Sequence, residues 1–77
     1  MAAFNTVYVW IGASGGDWSD NVHNWTPGYP AASPPGYGDL AIFNNGVAEA
    51  VAGNGAASEA DVVLGTTLTI MDSLSLD

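Results

Sequence analysis

The chain has 77 residues with no lysine, arginine or cysteine, eight acidic side chains and a formal net charge of −8. Without cations it cannot neutralise phosphates, which excludes nucleic-acid binding and disfavours anionic membranes; without cysteine it has neither disulfides nor thiolate metal sites. The length supports one small domain burying only about 60% of its unfolded surface, so stability leans on a metal, on oligomerisation or on neighbouring structure.

In chain order, 6–11 alternates Val7, Val9 and Ile11 against Tyr8 and Trp10, the pattern of a strand covered on both faces. MAAFNTVYVW lacks the charged region and cleavage site of a signal peptide, and no apolar run approaches the roughly 18 residues of a membrane span. Gly12, Gly15 and Gly16 then break the strand into a loop. Ser19 and Asp20 are good helix N-caps, so a single helical turn is expected near them. All four prolines fall in 26–38, TPGYPAASPPGYG, which predicts extended chain and turns, with Tyr29 and Tyr37 giving it something to pack with.

A strand follows at 39–43, then the Asn44-Asn45-Gly46 turn signal and an alanine-weakened strand at 47–51. The small, polar 53–59 reads as a loop. Strands at 60–64, 67–71 and 73–76 are separated by corners of one or two residues, too short for reversing hairpins and suited to a chain that bends and continues in the same sense. Leu68, Ile70, Leu74 and Leu76 keep an every-second-residue beat with Thr and Ser between them, apolar side inward. The pattern is still running at Asp77, so the expected partners are further rungs of the same chain or identical copies stacking on it.

The series Trp10, Gly12, Gly15-Gly16, Trp18, Asn24-Trp25, Gly28, Pro30, Gly38-Asp39, Ala41 and Phe43 resembles the segment that opens the right-handed β-helix passengers of bacterial autotransporters and related large surface adhesins. The resemblance implies an extracellular or cell-surface stalk with a structural or adhesive role and no active site in its cap. The expected fold is therefore all-β, a right-handed β-helix (β-solenoid) fragment: a Trp/Gly/Pro-rich N-terminal cap over 1–46 and rungs over 47–77. Trp10, Trp18, Asn24, Trp25, Asp39 and Phe43 are expected to hold the cap, with Asp39 accepting backbone N–H groups near Trp25. Val62, Leu64, Leu68, Ile70, Leu74 and Leu76 are expected to line the core, and the open last rung predicts end-to-end filaments.

Other readings compete with this structural one. His23, three residues after Asp20, is the only side chain titrating near neutrality, yet no G-x-S-x-G nucleophile elbow accompanies it, so no enzyme is expected. Asp17, Asp20 and Asp39 are the candidate calcium ligands, although their spacing is not that of an EF-hand; turn and cap duty is the plainer role, and no other cofactor is indicated. Trp10, Trp18, Trp25, Tyr29 and Tyr37 exposed together, with Asn21 and Asn24, would make a carbohydrate-binding module, whereas buried they make a core.

Overall fold

The computed structural model describes residues 4–26 and 33–77. The protein is all-β, and among the described residues there is no helix. Its strands are β1 (Val7–Trp10), β2 (Gly16–Asp17), β3 (Trp25–Thr26), β4 (Leu40–Phe43), β5 (Ala48–Ala52), β6 (Asn54–Ala57), β7 (Glu59–Val62), β8 (Thr67–Ile70) and β9 (Ser73–Leu76). They form three small sheets, ordered β3-β1-β4-β7, β2-β5-β8 and β6-β9. Only the β1/β3 pair is antiparallel.

From β4 onward the chain visits the first, second and third sheet in turn, and β7, β8 and β9 repeat the circuit. The register repeats with it: Leu40 faces Glu59, Ala48 faces Thr67 and Asn54 faces Ser73, each partner 19 residues further on. Backbone bonds continue each pairing, from the N–H of Val63 to the Phe43 carbonyl (2.9 Å), Met71 to Val51 (3.0 Å) and Asp77 to Ala57 (3.1 Å). The corners repeat too. Gly46 and Gly65 both take positive φ, 76° and 95°, a conformation open to glycine at little cost, and the Gly46 N–H donates to Thr66 Oγ1 at 2.8 Å across the corner.

Successive side chains alternate sides along a strand, so register identifies the inward rows. Phe43 lies under Val62, Val51 under Ile70, Gly55 under Leu74 and Ala57 under Leu76. The lower member of each pair is buried. In the upper tier Leu68 and Leu74 pack partly on the core, and Ile70 is half-buried.

Several sequence expectations are corrected here. Val62 and Leu76 keep core register but are 45% and 55% exposed, because no tier lies over them among the described residues. Leu64 is fully exposed: β7 ends at Val62 and the corner to Gly65 turns the side chain out of the alternation. The expected loop at 53–59 contains β6, a strand of Asn, Gly and Ala. A Cβ at Gly55 would lie 2.7 Å from the Trp18 ring and 3.1 Å from Leu74, so its small residues record a ring pressed on the strand. The helical turn near Ser19 and Asp20 is one bond, Asn24 N–H to the Asp20 carbonyl at 3.1 Å, among turn residues. The 19-residue register already includes β4, inside the segment read as cap.

Candidate functional site

The aromatic expectations converge on one cluster. Trp25 is fully buried and packs edge-on to Trp18 (centroids 4.8 Å), Trp10 (5.1 Å), Phe43 (5.6 Å) and Tyr8 (6.0 Å). Such edge-to-face contacts contribute about 0.5–1.5 kcal/mol beyond burial. The Trp25 indole donates to the Trp18 carbonyl (2.7 Å) and the Trp18 indole to the Pro35 carbonyl (3.1 Å), which seats the end of the proline segment on the cluster. All three indoles are buried and none is available as a sugar platform. Tyr37 is exposed, and Tyr29, with the rest of 27–32, lies outside the described residues.

Around the rings the motif residues interlock. Asn24, also buried, donates its side-chain amide to the Asp17 carbonyl at 2.8 Å. Its amide group fills the space a Cβ would take at Gly12 and Gly16, where it would collide with Oδ1 and Nδ2 respectively. This gives the Trp-Gly, Gly-Gly and Asn-Trp pieces one physical reason: two bare backbone positions admit an amide that ties the loop beneath Trp10.

The acidic candidates do not assemble. Asp17 accepts from Ser19 N–H and Oγ (2.8 and 2.6 Å), and Asp20 from His23, whose Nδ1 lies 3.0 Å from Oδ2. Asp39 accepts from the Gly36 N–H at 2.9 Å, a local turn rather than the expected anchor near Trp25. Among the described residues no three carboxylate or imidazole side chains come together as metal ligands. Comparison with family models, curated proteins and solved structures gives no match.

Two features went unread in the sequence. Glu49 is 5% exposed on the inward face of β5, beneath Leu68. Its Oε1 accepts from the Asn45 amide, while Oε2 is buried without a hydrogen-bond partner among the described residues. Since an unsatisfied buried polar group costs about 1–3 kcal/mol, Glu49→Leu is expected to raise the unfolding free energy by an amount in that range, read as a higher urea midpoint. An unchanged or lowered midpoint would show that the carboxylate is satisfied in solution.

The second feature is Glu59 beside Asp61 on β7. Hydrogen bonding between the two carboxyls, reinforced by charge repulsion, holds Glu59 above the usual carboxylate range. The Ser19 hydroxyl lowers Asp17, and the His23 ring lowers Asp20. The signs oppose. Asp17 and Asp20 contribute stability above their unfolded pKa that is lost as pH falls through the folded value, whereas the Glu59 contribution is full below its unfolded pKa and lost as pH rises through the folded one. Asp61→Asn should therefore raise stability near pH 7, with the gain shrinking as pH falls and Glu59 takes up its proton. Urea midpoints across pH test this, and equal midpoints at pH 7 would contradict it.

Proposed function

We propose that the chain is the capping segment and first rungs of a right-handed β-helix, serving as a non-enzymatic structural element of an extracellular or bacterial cell-surface protein. The observation that carries this reading is the 19-residue register recurring in all three sheets in fixed order. A chain that bends at three corners and returns parallel to itself one strand spacing higher, about 4.8 Å, forms a three-sided coil, and parallel crossovers are right-handed in almost every case. The buried rings at one end act as the cap, and Gly12, Gly16, Asn24 and Trp25, which carry the adhesin resemblance, hold that cap together. An interior mainly of indole, phenyl and aliphatic groups around one buried carboxylate, Glu49, with the candidate ligands each tied into local turns, suits a scaffold.

The winding predicts a cross-link. Ala50 and Thr69 are register partners facing outward on β5 and β8, and adjacent strands hold Cα atoms at about 5 Å, within disulfide range. Ala50→Cys with Thr69→Cys should oxidise to an intramolecular disulfide in the folded chain. Ala50→Cys with Leu68→Cys should not, because Leu68 points to the other side. Equal cross-linking of both pairs would overturn the winding.

A further inference from the structure

The chain carries two Asn-Gly pairs, Asn45-Gly46 and Asn54-Gly55. In such a pair the backbone nitrogen of the glycine can attack the asparagine side-chain carbonyl, since no Cβ on the glycine obstructs the approach or restricts its φ. The structure puts the two pairs in opposite situations. Asn54 and Gly55 belong to β6, paired to Ser73 and Leu74 of β9, with Asn54 Oδ1 accepting from the Ser73 hydroxyl at 2.8 Å and Gly55 buried against the Trp18 ring. Asn45 and Gly46 lie in the corner between β4 and β5, and both are exposed.

We infer that Asn45 is a site of spontaneous modification, which converts it to aspartate or isoaspartate and withdraws the donor that buried Glu49 depends on. The Asn45 carboxamide is held at both ends: Nδ2 donates to Glu49 Oε1, and Oδ1 accepts from the Val47 N–H, a long contact at 3.4 Å. The second contact closes a ring around Gly46 that turns Cγ toward the Gly46 nitrogen, and positioning of this kind lowers the barrier to attack. It also aims an N–H at Oδ1, the atom on which charge gathers as the nitrogen adds. The Gly46 N–H donates to Thr66 Oγ1 at 2.8 Å in an exposed position, where solvent hydroxide can reach the proton. Water is the only co-reactant. The Gly46 nitrogen loses its proton and bonds to Cγ; the Cγ–Nδ2 bond breaks and ammonia leaves with a proton in exchange; water then opens the five-membered imide at either carbonyl. Opening at one carbonyl gives aspartate, and at the other isoaspartate, whose main chain runs through the side-chain carboxyl.

Either product reaches the core. Glu49 is 5% exposed beneath Leu68, and its Oε2 is already without a partner among the described residues. With the amide gone, Oε1 loses its donor and a second acid stands beside the buried one. A buried acceptor stripped of its donor bears its full desolvation penalty. Isoaspartate also adds a main-chain atom to the corner that joins β4 to β5.

Fragment mass spectrometry of the full chain, aged in mildly alkaline buffer with and without denaturing urea, tests the site. In urea the two asparagines should convert at similar rates. In the folded chain Asn45 should convert at least about tenfold faster than Asn54, a barrier difference of about 1.4 kcal/mol, because Asn54 must first leave its strand. Equal rates in the folded chain would overturn the site. Urea midpoints in a double-mutant cycle read the link to Glu49 separately. Asn45→Asp should lower the midpoint, and most of that loss should vanish in the Glu49→Leu background. A midpoint for Asn45→Asp equal to wild type, or a loss of the same size in both backgrounds, would overturn the link.

Discussion

Trp25→Ala should leave the chain without a cooperative folded state in water at 25 °C. Trp25 is fully buried at the centre of the ring cluster, flanked by Trp10, Trp18, Phe43 and Tyr8, and its indole N–H satisfies the Trp18 carbonyl. Truncating a core tryptophan costs about 3–5 kcal/mol. A small domain has about 0.05–0.15 kcal/mol per residue, so on the order of 4–12 kcal/mol in total, and a chain of this length, which buries only about 60% of its unfolded surface, belongs at the low end. Trp25→Phe keeps an aromatic edge but loses the indole hydrogen bond, so it should still fold with a lowered midpoint. Urea titration followed by circular dichroism checks both; a cooperative Trp25→Ala transition near the wild-type midpoint would mean that the rings do not organise the fold.

Gly55→Val is the second large effect, and its sign discriminates between two arguments. On strand propensity alone valine should stabilise β6, by up to about 1 kcal/mol. In the folded protein its Cβ would meet the Trp18 ring at 2.7 Å and Leu74 at 3.1 Å, with the indole tied to Pro35 and unable to retreat freely. Overpacking of this kind costs about 1–3 kcal/mol, and displacing Trp18 also disturbs the carbonyl that Trp25 uses. The midpoint should fall; a rise would show that Trp18 does not lie on β6.

The same contact explains why part of the fold was legible in the sequence and part was not. β1, β8 and β9 could be read from alternation because their inward residues are large and their outward ones differ in kind, and β4 from its apolar run ending in the Asn44-Asn45-Gly46 turn. β6 could not, since its composition answers the Trp18 ring, which arrives from far earlier in the chain, and no local pattern encodes that. Leu64 misled for the opposite reason: it continues the beat of Val62 by one step, past the residue where the strand has already ended. The tryptophan spacing announced a core, but the part played by Asn24 depends on Gly12 and Gly16 meeting it in space. Glu49 carries no signal at all, because a buried carboxylate under Leu68 is indistinguishable in sequence from the solvating acids elsewhere.

The winding itself is tested most directly by NMR couplings measured across backbone hydrogen bonds in the labelled chain. Three bonds, one from each sheet, decide it: Val63 N–H to the Phe43 carbonyl, Met71 N–H to Val51 and Asp77 N–H to Ala57. A coil with a 19-residue period predicts all three couplings. Couplings joining strands adjacent in sequence, such as β7 to β8, would mean that the chain folds back on itself as a meander and would contradict the account.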